Sequence, residues 1–217
     1  MSVRDALRAA LRDFYSQSWR LLALNAALSA AVGTIAAAAI FVSRAALLLL
    51  VLVGPAVAAL AHCAVTLQQT EELRLHQALE GLRLHWRRGL ELAALDGAVV
   101  LVGTVAFLFY THRGLLAWAF SMVVLYLLFL FAIYQLLLWP IAVAEPDGRL
   151  RDAAAHALHL LLRRPAPALG LGVAILLVNV AGLAAAAMPF LTLTVAYTFL
   201  VAAHFVRPRP TAPEASV

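Results

Sequence analysis

Residues 115–139 read LLAWAFSMVVLYLLFLFAIYQLLLW, a run of 25 residues without a charged side chain. An α-helix rises about 1.5 Å per residue, so a helix of this length would be about 38 Å long. About 20 apolar residues are enough to cross the hydrocarbon core of a bilayer. The run therefore predicts a transmembrane helix.

Apolar segments of similar or greater length lie on both sides of this run. Each is long enough to cross a bilayer, and the last of them is long enough to cross it twice. The segments are residues 21–42, 45–67, 92–110 and 166–206.

The run at residues 166–206 contains no Asp, Glu or Arg. Its 41 residues correspond to about 60 Å of helix, which is two crossings rather than one. Met188-Pro189 lies near its middle, and Pro disfavours helix at the residue before it while starting the next helix well. We therefore expect two helices here, at residues 168–187 and 190–206, and six transmembrane helices in all.

The composition agrees with a membrane protein, since 65% of the residues are hydrophobic and 12% are charged. Ordinary soluble domains are about 45–50% apolar and about 25% charged. The net charge is +5, and all sixteen basic residues are Arg, dispersed among apolar segments rather than collected in one basic domain. We therefore expect anionic lipid headgroups, and not nucleic acid, as partners. The doublets Arg87-Arg88 and Arg163-Arg164 are the expected headgroup contacts.

The arginines also predict the orientation, because cytoplasmic segments of membrane proteins carry the excess of basic residues. With the N-terminus in the cytoplasm, fourteen arginines lie inside and two, Arg44 and Arg113, lie outside. Arg164 and Arg207 both lie inside, which requires an even number of crossings between them. Both termini are therefore expected in the cytoplasm.

A cleaved signal peptide is the alternative interpretation of the first apolar segment, with the small residues at 27–30 as its cleavage site. The apolar run continues through Val42, however, and about 20 residues precede it, which is long for the charged part of a signal peptide. We therefore favour a transmembrane helix here.

Three segments, at residues 4–20, 72–87 and 149–163, carry polar side chains at steps of three and four, and each precedes a pair of apolar segments. This spacing places the polar side chains on one helix face. It predicts amphipathic helices at the membrane interface. Chance similarity among Arg-, Ala- and Leu-rich segments is the alternative. The expected interfacial helices are residues 4–18, 73–87 and 149–163.

The predicted fold is therefore all-α, with six transmembrane helices arranged as three hairpins and a cytoplasmic amphipathic interfacial helix before each hairpin. Glu145-Pro146-Asp147-Gly148 predicts a type I turn before the third unit. We expect one integral membrane domain, residues 1–210, and a short disordered cytoplasmic tail, residues 208–217. The repeat-like units are residues 1–67, 70–140 and 146–207.

Five short motifs run along the chain: Leu24-Asn25, Gly54-Pro55-Ala56 followed by Ala59-Leu60, Leu84-His85-Trp86-Arg87-Arg88, Trp139-Pro140 and Arg164-Pro165. Together they resemble the YesL-like bacterial membrane proteins, a family of unknown function, over nearly the whole chain. The resemblance implies a place in the bacterial plasma (inner) membrane. It also implies an accessory role near sugar transport, because family members often accompany genes for carbohydrate uptake. The family has no established catalytic residues.

Six Asn, Gln, Asp or His residues fall inside the predicted spans, where such polar groups are costly and therefore informative. Asn179 lies near the midplane, and the other five lie one to two turns from the predicted cytoplasmic ends of their helices. One interpretation is a cytoplasm-facing polar pocket in which Asp96 binds an ion or proton beside His62 or His204. The other is that these groups bond to each other or to the backbone and hold the helices together. The five are Asn25, His62, Asp96, Gln135 and His204.

Other candidate sites in the sequence are weak. His156 and His159 lie on one helix face but have no companion ligand in sequence, so no metal site is expected. The sequence has no phosphate-binding loop, nucleophile elbow or His-Glu-x-x-His motif, so we expect no catalytic residue and no cofactor. The single cysteine, Cys63, is expected to be an inert buried thiol.

The sequence supports two functional hypotheses, and neither is enzymatic. In the first, the protein assists or regulates a transport system through its cytoplasmic face, and its partner is a membrane transporter. In the second, the chain is itself a small solute or ion transporter that uses the polar pocket around Asp96. The sequence does not define the oligomeric state.

The topology can be measured by labelling single cysteines, introduced into a Cys63→Ala background, with a membrane-impermeant thiol reagent. Cytoplasmic positions should react only after the membrane is opened, because the reagent cannot cross the bilayer. A label on residue 209 from outside would contradict the six-helix prediction. We expect cytoplasmic labelling at residues 1–18, 70–88, 146–164 and 208–217, and outside labelling near residues 43, 112 and 188.

Overall fold

The computed structural model describes residues 2–70, 72–145, 148–184 and 194–206. Every regular element in these ranges is helical, which confirms the predicted all-α class. In chain order the elements are α1 (Val3–Ser16), α2 (Ser18–Phe41), a 3-10 helix (Arg44–Val53), α3 (Gly54–Thr70), α4 (Leu75–Thr111), α5 (Leu115–Ala144), α6 (Leu150–Arg163), α7 (Pro165–Ala184) and α8 (Val195–Val206).

Five helices of the described residues are long and apolar enough to cross a membrane, as in a multi-pass membrane protein. α8 is also apolar but has 12 residues. The expected turn at Met188-Pro189, the first residues of the expected last span and the expected tail at residues 208–217 lie outside the described ranges. The five helices are Ser18–Phe41, Arg44–Thr70, His76–Thr111, Leu116–Ala144 and Pro165–Gly182.

The second of these segments changes helix type at Gly54. Residues 44–53 form a 3-10 helix, and α3 begins at Gly54 and continues to Thr70. Pro55 is the second residue of α3, where its missing N–H leaves no hydrogen bond unmade and its fixed φ suits the start of an α-helix. The Gly-Pro pair therefore marks the start of the α-helical part of this segment.

The segment at residues 73–87, expected as a separate interfacial helix, forms the first part of α4 instead. α4 runs without a break for 37 residues, which is about 55 Å. Residues 87–91 read RRGLE, with no Pro, and a single Gly is tolerated inside a helix. The sequence therefore contains nothing that would separate an interfacial helix from the span that follows it.

The segments at residues 4–18 and 149–163 do form separate helices, α1 and α6. The C-cap of α1 is Gln17, whose φ of −123° lies outside the α-helical range. The C-cap of α6 is Arg164, before Pro165, and Pro disfavours helical geometry at the residue that precedes it. Both helices are thus set off from the apolar helix that follows by a local backbone change.

α3 and α4 pack against each other in opposite directions across a pair of glycines. A Cβ added to Gly54 would lie 2.2 Å from the Gly89 carbonyl oxygen, and one added to Gly89 would lie 2.7 Å from the Gly54 carbonyl oxygen. Nearer the turn between the helices, a Cβ added to Gly81 would lie 2.9 Å from Cβ of His62. The absence of side chains at these glycines allows the two backbones to approach closely.

α8 lies at the centre of the bundle, against α1, α3 and α5. Leu200 is fully buried, and Phe199 and Phe205 are also buried. The Tyr197 hydroxyl donates to the Leu7 carbonyl at 3.1 Å, and the same face of α8 meets α1 again one to two turns further on. α1 therefore runs alongside α8 in the same direction.

The two ends of the bundle differ in how much apolar surface they bury. Large apolar side chains at the end formed by the α2 C-terminus and the α4–α5 turn are exposed, including Phe41 (84%) and Leu116 (85%). The buried core lies towards the other end, around α1, α3 and α8. Lipid solvates apolar side chains as well as a protein core does, so a membrane protein can leave this surface exposed.

Replacing Gly89 by Ala should destabilise the bundle, because the added methyl group meets the α3 backbone. Overpacking of this kind costs about 1–3 kcal/mol. Gly97→Ala is the matched control on the same helix, since a Cβ there meets nothing within 4 Å. Thermal unfolding in detergent should show a lower midpoint for Gly89→Ala and an unchanged or higher midpoint for Gly97→Ala. Equal midpoints for the two variants would contradict the close contact.

Candidate functional site

Asp96 faces α5 from the middle of α4. The Trp139 indole Nε1 donates to Asp96 Oδ2 at 3.2 Å. Gln135 lies one turn before Trp139 on α5, and it approaches the same carboxylate without completing a hydrogen bond to it. These three side chains form a polar cluster between α4 and α5, which we call the Asp96 cluster.

The Asp96 cluster contains polar atoms without partners. Asp96 Oδ1 and both side-chain polar atoms of Gln135 are buried and accept or donate no hydrogen bond within the described part of the chain. A buried polar atom left without a hydrogen bond typically costs about 1–3 kcal/mol. The cluster is therefore the least satisfied polar site of the described bundle.

His204 is paired with Asp13, a residue of α1 that the sequence analysis did not single out. His204 Nε2 lies 2.9 Å from Asp13 Oδ2, and both residues are buried, with 1% and 6% of their surface exposed. Next to this pair, Phe14 packs edge-on against Tyr197 with ring centroids 6.2 Å apart. The pair ties α1 to the central helix α8.

His62 is paired with His85 between α3 and the first part of α4. His85 Nε2 lies 3.3 Å from His62 Nδ1, and His85 is 2% exposed. One of the two facing nitrogens must donate and the other accept, so both rings cannot be protonated without breaking this hydrogen bond. The arrangement suits a helix contact that carries one positive charge at most.

The two asparagines lie at other helix contacts. Asn179 Nδ2 donates to the Ile175 carbonyl at 2.8 Å and lies 3.4 Å from Thr198 Oγ1, so it joins α7 to α8. Asn25 is fully buried on α2. The Asn179 contacts correspond to the helix-packing interpretation of an intramembrane amide.

The structure therefore distributes the six predicted pocket residues over several helix contacts. Asp96 contacts Trp139 and Gln135 of α5, and neither predicted histidine neighbour. Of the predicted set, the structure brings together Asp96 and Gln135, whereas His62 and His204 have partners on other helices.

Arg88 has a role within the bundle. Its guanidinium donates to the carbonyl oxygens of Ala142, Glu145 and Gly148, with 2.7 Å to Glu145. Ala142 and Glu145 lie in the last turn and at the C-cap of α5, where helix carbonyls have no intrahelical partners, and Gly148 lies just beyond the helix. Arg88 therefore caps α5 and fixes the level at which α5 ends beside α4.

The other arginines predicted to contact lipid headgroups are accessible. Arg163 and Arg164 are exposed at the end of α6. The Arg87 guanidinium lies 5.1 Å from the Trp86 ring centroid, a cation–π contact on the exposed side of α4. These three arginines are therefore exposed on the surface of the bundle.

The partners that the sequence analysis missed carry weak signals in the sequence. Asp13 stands on the same face of α1 as the buried residues Ala6 and Ala10, at steps of four and three, rather than on the Arg-rich face. An acidic side chain on an apolar helix face indicates a buried partner. His85 lies four residues after Gly81, on the side of α4 that packs against α3.

The described residues do not group three His, Cys, Asp or Glu side chains as a metal would require. A groove of about 420 Å³ lies between α4 and α5 beyond Asp96. Its lining is apolar and includes Val102, Gly103 and Leu128. It opens on the surface that carries exposed apolar side chains, where lipid chains would fill it.

The chain matches no protein-family model, no curated protein and no solved structure.

Removing either partner of the Asp13–His204 pair should destabilise the protein, because the remaining group stays buried without its partner. Asp13→Ala and His204→Ala should each lower the free energy of unfolding by about 3 kcal/mol, the range for one partner of a buried pair. The double variant should cost clearly less than the sum of the two. Denaturant unfolding in detergent measures these values.

Arg12→Ala is the control for this pair. The Arg12 side chain is 75% exposed and lies 3.9 Å from Asp13. An exposed ion pair contributes about 0–1 kcal/mol, so this variant should unfold almost like the wild type. Strictly additive effects of the Asp13 and His204 changes would show that the two residues are not coupled.

Proposed function

We propose that the chain is a non-enzymatic, multi-pass membrane protein that assists or regulates a membrane transport system through its cytoplasmic face. The observation that carries this proposal is the distribution of the polar side chains. They pair between different helices, as in Asp13–His204 and His62–His85, and therefore hold the bundle together rather than line one passage. A protein built in this way is suited to binding a partner.

The exposed charged surface supports the same proposal. Arg4, Arg8 and Arg12 are exposed on α1, and Arg151 and Arg163 are exposed on α6. The opposite end of the bundle presents mainly apolar side chains. A partner that recognises charge therefore has a charged surface available where these helices lie, which we propose is the cytoplasmic side.

The proposed arrangement in the membrane has six spans, arranged as three hairpins, with both termini in the cytoplasm. Five spans are the long apolar helices, and the sixth, at residues 190–206, includes α8. The resemblance to the YesL-like family suggests the bacterial inner membrane as the location. It also suggests carbohydrate uptake as the transport system concerned.

A second candidate function is transport of an ion or small solute past Asp96. The buried atoms of Asp96 and Gln135 without hydrogen-bond partners favour it. In this case the protein alone, reconstituted into liposomes, should move the solute, and Asp96→Asn should abolish the flux. The accessory function predicts no flux without a partner.

Charge reversal on α1 tests the accessory function. The full chain is purified from its native membrane in mild detergent after chemical cross-linking, with and without Arg4→Glu and Arg8→Glu. We expect a transport permease to co-purify with the wild type and to be lost from the double variant, because opposite charges that attracted would now repel.

Arg44→Glu with Arg113→Glu is the control, since both arginines are exposed and lie on the predicted opposite side. This variant should keep the permease. Loss of the permease from both variants to the same extent, or no permease with the wild type, would contradict a partner bound through the cytoplasmic face.

A further inference from the structure

The Asp96 cluster has hydrogen-bonding capacity that the described residues do not use. Gln135 is only 7% exposed, yet its amide nitrogen and oxygen have no hydrogen-bond partner in the described part of the chain. Asp96 Oδ1 is buried beside it, and it too has no hydrogen-bond partner among the described residues. Buried polar side chains are nearly always satisfied, so this group of atoms requires an explanation.

The chemistry of a carboxyl group suggests what is missing. An ionised carboxylate can only accept hydrogen bonds, and here one of its oxygens, Oδ2, accepts from Trp139 Nε1 while Oδ1 receives nothing. Burying such a charge without full solvation is costly. A proton on Oδ1 would remove the charge and provide a donor, and the Gln135 amide oxygen is an acceptor on the adjacent helix.

We propose that Asp96, Gln135 and Trp139 form a proton-binding site inside the bundle, where Asp96 binds and releases a proton at Oδ1. On binding, a lone pair of Oδ1 takes a proton from a hydronium ion of the solution, whose O–H bond breaks to leave water, and the charge of the side chain goes from −1 to 0. Trp139 continues to donate to Oδ2 in both states. This proposal does not depend on whether the protein assists a transporter or transports a solute itself.

Among the described residues, no positively charged group lies beside the carboxylate as a counter-ion. On α4 the nearest are Glu91, which is exposed, and Arg88, which is bound to the end of α5 about 12 Å away along the helix. On α3, His62 is turned towards His85. α5 contributes Gln135 and Trp139. The proton is thus the charge available to neutralise Asp96.

A proton fits the cluster better than a metal cation does. Hard cations such as Ca²⁺ take about six to eight oxygen ligands. The cluster offers two oxygens without partners, Asp96 Oδ1 and Gln135 Oε1. Asp96 is partly exposed, whereas Gln135 and Trp139 are buried, so the cluster is open on the Asp96 side.

Infrared spectroscopy of the full chain in liposomes tests the site directly. The C=O stretching band of a protonated carboxylic acid should be present at low pH and should disappear as the pH rises. Asp96→Asn should remove this band, and Glu91→Gln, on the same helix and exposed, should leave it. Identical spectra for the wild type and Asp96→Asn would overturn the proposal, as would a band of Asp96 that stays unchanged between about pH 5 and pH 9.

The wild type alone gives a second measurement if Asp96→Asn does not fold. An apolar carbodiimide modifies protonated carboxyl groups in apolar surroundings, and peptide mass spectrometry locates the product. We expect Asp96 to be modified, and the rate to fall as the pH rises. Modification of other carboxyl groups without Asp96 would overturn the proposal.

The contribution of Trp139 to the site can be tested separately. Trp139→Phe removes a donor that stabilises the ionised form more than the neutral form, because hydrogen bonds to charged groups are the stronger ones. Half-maximal labelling of Asp96 should then move to higher pH by about one unit, the size of effect expected for a single hydrogen bond. Trp118→Phe, a distant tryptophan at the start of α5, is the control and should leave the pH dependence unchanged. An unchanged pH dependence in Trp139→Phe would remove Trp139 from the site.

Discussion

The close approach of α3 and α4 at Gly54 and Gly89 sets the position of α4, and the polar contacts of the bundle depend on it. His85, Gly89, Leu92 and Asp96 follow each other at helical spacing along α4. With Gly89 against the α3 backbone, His85 meets His62 on one side of the crossing, and Asp96 reaches Trp139 of α5 on the other. One backbone contact thus orients two polar sites.

The polar pairs supply the specificity that apolar packing lacks in a lipid environment. Lipid tails are as apolar as Leu side chains, so burying Leu gives little preference for one helix neighbour over another. A polar group without a partner is costly in the same environment. Asp13 and His204 are separated by 191 residues and can satisfy each other only when α1 lies beside α8. The pair therefore selects one arrangement of the first and last described helices.

The sequence predicts the helices better than it predicts their contacts. The all-α class and the long apolar segments follow from hydropathy and length, which are local properties. The expected break before residue 88 is missing because residues 87–91 contain no helix-breaking Pro, whereas Pro165 does separate α6 from α7. The Asp13 contact depends on how distant helices meet. An acidic residue on an apolar helix face indicates that Asp13 has a buried partner. The sequence does not indicate that this partner is His204.

Five of the six polar residues are predicted to lie at a similar depth, but the structure does not gather them into one pocket, and the two properties have different causes. Similar depth follows from the energy of polar groups in a bilayer, which is lower near the interface for every helix. A pocket requires in addition that the helices turn these groups towards one another. His62 and His204 are turned towards partners that satisfy them, and those contacts are explained by stability. Asp96 and Gln135 face each other with hydrogen bonds unmade, and packing alone gives no reason to retain them in place of apolar side chains. Within this bundle, that difference separates a polar group that holds helices together from one that is available to bind.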